Sequence, residues 1–171
     1  MLYAHTLAGH PKEDWQTLQE HLENVGRLAA DSLFGAARTG ATLGTHHDAG
    51  KDTEGFQRRL EGGPRVDHST AGAVLLGQRW EASPSRQTAA LGTMLSRFLA
   101  YPILGHHGGL PDAGSEYGTG LDHRLAPGNI LKLPSWDPAA IPLPASPMDV
   151  YQEMLPLICK QGRHPDPFRI C

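Results

Sequence analysis

The sequence predicts an all-α fold, and three observations carry that expectation. Residues 14–33 and 85–104 each repeat apolar side chains at steps of three and four, the period of a helix with one buried face. No stretch alternates apolar and polar residues for more than a few positions, so no strand pattern competes. The length, 171 residues, is that of one domain and is enough to bury a core without staples.

The first helix is expected over residues 14–33. Trp15, Leu18, Leu22, Val25 and Ala29 form its stripe, and Leu28 and Leu33 widen it. Glu13 and Asp14 suit its positive N-terminal end, and Gly35 suits its stop. His21 falls on the apolar side of this helix, a costly place for an imidazole without a partner. A shorter helix is expected over about 39–49, through Leu43 to His47, ending at Gly50. The segment DTEGFQRRLEGG follows, with Phe56 and Leu60 four apart before a Gly-Gly-Pro stop. Asp67 is placed to cap HSTAGAVLLGQRW, whose Ala71, Gly72 and Ala73 allow a neighbouring helix to approach closely. The second strong helix runs from about Ser85 to Leu104, with Leu91, Met94, Leu95, Phe98 and Leu99 on its stripe and a kink expected at Pro102. His106 and His107 follow it directly.

Composition changes after this point. Eleven of the fourteen prolines lie from Pro102 onward, and residues 108–147 read as a long Gly/Pro-rich loop, regular only at NILKL. Such a loop in a compact domain is usually functional or mobile, and here it is a plausible gate or interface. A last helix is expected from Met148 to Lys160, carrying Val150, Met154, Leu155 and Ile158 and bent or shortened by Pro156. The whole chain reads as a single domain, 1–171.

Composition narrows the function classes. Hydrophobic residues make up 39% and charged residues 19%, which fits a soluble globular protein, and no apolar run is long enough to span a membrane. The N-terminus lacks the pattern of a secretory signal. Cys159 and Cys171 have no metal-type spacing and read as free thiols, which suits a cytoplasmic location. A net charge of −3 argues against holding nucleic acid by bulk electrostatics. The basic residues Arg58, Arg59, Arg65, Arg79, Arg86, Arg97 and Lys132 are scattered and read as solvated surface.

The unusual count is ten histidines. At THHDAGK, residues 45–51, His47 and Asp48 are consecutive at a helix end, so an imidazole and a carboxylate can reach one cation. The second oxygen of Asp48 can bridge to another. Mixed N/O ligation suits divalent transition metals such as Fe, Mn, Co, Ni or Zn. Lys51 can reach towards a phosphate oxygen. A His-Asp dipeptide by itself is common and usually a surface cap. His21 alone could be a core histidine bonded to a carbonyl, His68 a simple helix start, and the pair His106-His107 a partner of a helix C-terminus. Together, each beside a core-facing helix end, they read better as one constellation.

In this order, AHT…W-x-x-L-x-x-HL…V, HHDAGK…FQ-x-x-L, HS-x-x-GA and GHHGGLPD, the chain resembles the HD nuclease domain of the CRISPR-associated helicase–nuclease of type I systems, within the HD phosphohydrolase superfamily. The likeness covers roughly residues 3–112, and GHHGGLPD is what narrows it. The resemblance implies an all-helical HD-type bundle holding one or two divalent transition metals and cutting single-stranded DNA in antiviral defence. The implied partners are a helicase domain or subunit and an RNA-guided surveillance complex. By carry-over, one metal falls to His21, His47 and Asp48, and a second to Asp48, His68, His106 and His107. Lys51 contacts phosphate, and His46 and Ser69 orient the ligands. The family's last acidic ligand lies on a later helix, and this chain ends at DPFRIC about where that helix would begin. Neither Asp149 nor Asp166 stands in that context. The expectation is a C-terminally truncated piece with reduced metal affinity and low activity. Two other functions remain open at this point: an HD phosphohydrolase of nucleotides, and a metal-poor domain that only docks on partners.

Overall fold

A computed structural model of the chain describes residues 1–113, 120–126 and 141–159. It is an all-α bundle with seven α-helices and a single two-stranded ribbon among the described residues.

The chain enters through that ribbon. β1 (Tyr3–His5) pairs antiparallel with β2 (Gln16–Thr17), with Tyr3 opposite Thr17 and His5 opposite Gln16. The expected helix over 14–33 therefore starts later, as α1 (Leu18–Ser32). Glu13 and Asp14 belong to a short 3₁₀ turn, Lys12–Asp14. Thr17 is the actual N-cap, extended in backbone, with its hydroxyl accepting from the Glu20 amide at 3.2 Å. Trp15 meets Tyr3 edge to face across the ribbon, at 5.8 Å between ring centres, instead of extending the helical stripe. Leu18, Leu22 and Gly26 are the buried positions of α1, whereas Leu28 is 54% exposed and Leu33 39%, so these two do not widen the stripe.

α2 (Ala37–His46) packs tightly along α1. A Cβ on Gly40 would sit 2.3 Å from the Ala29 carbonyl oxygen, a distance no side chain tolerates. The N-cap of α2, Ala36, supplies no side-chain hydrogen bond. Glu153 of α7 (Pro147–Cys159) does so in its place, accepting from the Arg38 amide at 3.0 Å and from the Thr39 amide and hydroxyl at 2.8 and 2.9 Å. An acid against these free amides also complements the helix dipole. α2 ends at His46, earlier than expected, and the chain tightens into a 3₁₀ turn, Ala49–Asp52.

α3 (Glu54–Leu60) buries Phe56, and Thr53 caps it. α4 (His68–Glu81) starts from Asp67, whose carboxylate accepts from the Thr70 amide at 3.0 Å. Its small-residue start does bring backbones together: a Cβ on Gly72 would lie 2.1 Å from the His46 carbonyl oxygen. α5 (Arg86–Gly105) is capped by Ser85 and continues through Pro102. Leu95, Leu99 and Ile103, four apart, face α4 and join Leu76, Trp80, Leu121 and Val150 in the main core. Met94 and Phe98, expected on that stripe, turn outward and are 57% and 56% exposed.

The expected loop 108–147 contains a short helix, α6 (Leu121–Arg124), whose Leu121 is fully buried. Residues 141–146 then strap α4, the Trp80 indole donating to the Ala145 carbonyl at 3.2 Å. In α7, Val150 is buried, while Ile158 is exposed. NILKL, Lys160, Asp166 and Cys171 lie outside the described residues. Asp149 pairs with Arg38 and bonds Ser146, at the far end of α2 from His47. No helix of the described residues is long and apolar enough to cross a membrane.

Candidate metal centre

Five elements end at one place. The start of α1 brings His21, the end of α2 brings His47 and Asp48, and the following 3₁₀ turn brings Lys51. The first residue of α4 is His68, and the end of α5 delivers His106 and His107. Gly50 permits this convergence, because a Cβ there would lie 2.1 Å from the His68 carbonyl oxygen. The 3₁₀ turn can therefore press against the first turn of α4 only with glycine at this position.

Asp48 is the hub, with 3% of its surface exposed. Its two oxygens face different groups. Oδ2 lies 2.8 Å from His21 Nε2, 3.1 Å from His47 Nε2 and 2.8 Å from Lys51 Nζ. Oδ1 lies 3.0 Å from His68 Nε2 and 3.3 Å from His106 Nε2. His107 joins through His68, their Nε2 atoms 3.0 Å apart. The residues that the family likeness apportioned to two metals thus divide between the two carboxylate oxygens.

Tautomers are set by backbone carbonyls, which can only accept. His47 Nδ1 donates to the Gly44 carbonyl at 2.6 Å, and His106 Nδ1 donates to the Ile103 carbonyl at 2.7 Å. In each neutral ring the Nε2 lone pair then points at Asp48. Lone pairs facing a carboxylate repel it unless a proton or a metal ion lies between. Asp48 Oδ1 is buried and, despite two imidazole nitrogens at close range, accepts no well-aligned hydrogen bond. The spacing fits the same conclusion: donor atoms at right angles around a cation with bonds of about 2.1 Å stand about 3 Å apart. Two groups, Asp48-His68-His106-His107 and His5-His21-Asp48, each have ligand atoms within 4.8 Å of one another. The donor set, imidazole nitrogen plus carboxylate oxygen, suits a divalent transition metal.

Electrostatics follow the geometry. Burial pushes the Asp48 carboxyl up, but contacts from His106, His21, His47 and His68 outweigh it and hold the group well below the usual carboxylate range. Burial pulls the His106 imidazole down, but Asp48 and the Ile103 carbonyl prevail and raise it. His107 is lowered by burial and by the neighbouring His106 and His68.

Lys51, expected to reach a phosphate oxygen, sits against Asp48. It is 2% exposed, and its ammonium is spent on Asp48 Oδ2, on the Ala4 carbonyl at 3.3 Å and on His5 Nε2 at 3.3 Å. Its Nζ lies over the Phe56 ring, 5.3 Å from the ring centre, and that ring also meets His68 edge to face. His46 is fully buried but faces away from Asp48, its Nδ1 donating to the Thr42 carbonyl at 2.9 Å. Ser69 is buried and lines a recess behind His107 with Gly108 and Asp112.

Two residues of the site were given no role from the sequence, His5 although it stands in the motif AHT, and Arg124. His5 packs edge to face on His21, at 4.8 Å between ring centres, and joins one ligand group. Gln57 places it, its side-chain amide bonding Tyr3 N, Tyr3 O and Lys51 O like a strand residue. Arg124 of α6 clamps two ligand-bearing helix ends. It donates to Asp67 at the start of α4, to the Thr70 hydroxyl at 2.9 Å and to the Leu104 carbonyl at 3.0 Å near the end of α5. The motif AHT marks His5 but not its reach to the other histidines, and an arginine inside a Gly/Pro-rich loop carries no mark at all.

Fold and site together define an all-α bundle with a histidine-rich, carboxylate-centred site able to hold metal ions. Compared with family models, with curated proteins and with solved structures, the chain has no match.

Proposed function

We propose that this protein is a metal-dependent phosphodiester hydrolase of the HD type, a nuclease domain that cuts single-stranded DNA fed to it by a helicase partner in type I CRISPR interference. The observation that carries the proposal is the convergence of four imidazole Nε2 atoms on the two oxygens of one buried carboxylate, with His107 completing one side. His21, His47 and Asp48 would hold one divalent transition metal, with His5 in reach of the same side, and Asp48, His68, His106 and His107 a second. Fe, Mn, Co, Ni and Zn all suit these donors. Bound there, such ions lower the pKa of a coordinated water to near 7 and neutralise charge that builds on the phosphate.

The chain's own residues supply orientation. The carbonyls of Gly44 and Ile103 keep His47 and His106 in the tautomer that presents Nε2. Asp48 stays ionised and offers one oxygen to each side. Lys51, locked against Asp48 Oδ2, balances the buried charge and holds the carboxylate at its angle. The near-neutral total charge suits a domain whose strand is delivered by a partner, such as a helicase acting with an RNA-guided complex.

The test is cleavage of circular single-stranded DNA by the purified chain with added Mn, Ni, Co or Fe, beside a panel of nucleotides and cyclic nucleotides. Metal-dependent cutting of the circle, abolished by chelator, is the expected result. Hydrolysis confined to nucleotides would replace the nuclease with a nucleotide phosphohydrolase. No bound metal and no hydrolysis of either would leave a docking domain.

A further inference from the structure

We infer that Arg59 and Arg65 form a phosphate subsite beside the metal centre, one that grips a phosphate of a polynucleotide chain other than the one being cut. The inference rests on the hydrolase reading for the location of the reacting phosphate. A cleft of about 600 Å³ is lined by His5, Lys51, His68 and His107 together with Arg59 and Arg65. The metal centre and two guanidinium groups therefore share one cleft.

Their lack of partners sets these arginines apart. Arg27, Arg38, Arg58, Arg97 and Arg124 each pair with a carboxylate, and Arg79 donates to the Ile141 carbonyl. Among the described arginines, only Arg59, Arg65 and Arg86 make no side-chain hydrogen bond or ion pair within the chain. Two of these three line the same cleft, in a protein whose net charge is −3. Lys51 adds no free charge there, because Asp48 neutralises it. Two unneutralised guanidinium groups sharing a cleft repel each other unless an anion lies between them. Their planar forks match the oxygens of a phosphate. A phosphate at His68 and His107 is the one presented for hydrolysis, so the arginines serve a neighbouring phosphate along the strand. The subsite favours a chain of phosphodiesters over a substrate with a single one.

The experiment uses the full chain and its R59A/R65A variant, neither residue being part of the core or of the ligand set. Binding of a short oligothymidylate is measured against salt concentration, and turnover of bis(p-nitrophenyl) phosphate, which carries one phosphodiester, is measured with Mn. The variant is expected to bind the oligonucleotide at least tenfold more weakly at low salt. Its log–log salt slope should fall by about 0.7, the contribution of one phosphate contact on a single strand. Turnover of the small diester and metal content should stay as in the parent, and R86A should bind as the parent does. Unchanged oligonucleotide binding, or an equal loss with R86A, overturns the subsite. So does an equal loss on the small diester. A parent chain that takes no metal but still binds the oligonucleotide through these arginines would sink the hydrolase reading and leave the subsite standing.

Discussion

His46 and His47 are neighbours in the chain, yet they serve two different regions of the molecule. Both use Nδ1 to donate to a carbonyl of their own helix. The one-residue step rotates the second ring by about 100°, and that rotation decides everything else. His46 points into the packing between α2 and α4, where its Nε2 is buried with no partner. His47 points at the polar end of the bundle, where its Nε2 meets Asp48 and His21. A histidine in a close-packed interior is a neutral filler whose cost is tolerated, whereas the same ring beside a carboxylate and other imidazoles is a ligand. Burial alone does not separate the two roles. The direction of the second ring nitrogen does.

The largest effect should come from the hub. Asp48→Ala removes the shared carboxylate and leaves Lys51 charged and buried, so it should cost about 3–5 kcal/mol of stability as well as metal binding. Adding Lys51→Met should recover much of the stability but none of the metal. Denaturant titration with parallel metal analysis checks both halves, and a double variant that regains metal would break the assignment of Asp48.

His46 offers the matching test on the packing side. Burial pushes it down to about 4 from the ordinary 6.5. Because the folded value lies below the unfolded one, its contribution is intact above pH 6.5 and is lost as pH falls towards 4. The loss amounts to about 3 kcal/mol at the low end. His106, which is raised, adds stability that is fully present below 6.5 and lost as pH rises above it, so the quantity to read is the difference between the parent and His46→Gln. In chelator, the parent's stability should fall more steeply than the variant's across this window. Parallel curves would mean that His46 is not held neutral by burial.

Two glycines sharpen the contrast further. Gly40→Ala forces a methyl group into the α1–α2 contact, and Gly50→Ala forces one into the His68 carbonyl. Each should cost about 1–3 kcal/mol. Only Gly50→Ala should also weaken metal binding, because it displaces the turn that carries a ligand. Equal metal affinity in the two variants would separate the site from its scaffold. The smallest effect is assigned to Arg124→Gln, which frees the starts and ends of α4 and α5 from their shared clamp. Metal affinity should drop about tenfold, in the range seen for residues that orient ligands, with the helical content retained by circular dichroism.

Much of this arrangement was legible in the sequence, for reasons that can be named. α4 and α5 announced their starts through Asp67 and Ser85, and the ordered pairs HHD and HH placed ligands at helix ends. The start of α1 was misread because Glu13 and Asp14 are good first-turn residues. They were outcompeted by the pairing of Gln16-Thr17 with Tyr3–His5, a non-local contact that no periodicity records. The same pairing is what brings His5 to the site. Met94 and Phe98 looked like core by residue type, but only the position of α4 decides which side of α5 is covered. Lys51 carried the expectation of a phosphate contact, and its burial follows from Asp48 lying one turn behind it.

The central claim is that Nε2 direction, not proximity in sequence, makes a ligand, and calorimetric titration of Ni²⁺ into His46→Gln and His47→Gln tests it most directly. His47→Gln should lose tenfold or more in affinity, while His46→Gln should bind as the parent does. Equal losses in the two variants, or a parent chain that takes up no metal, would contradict the account.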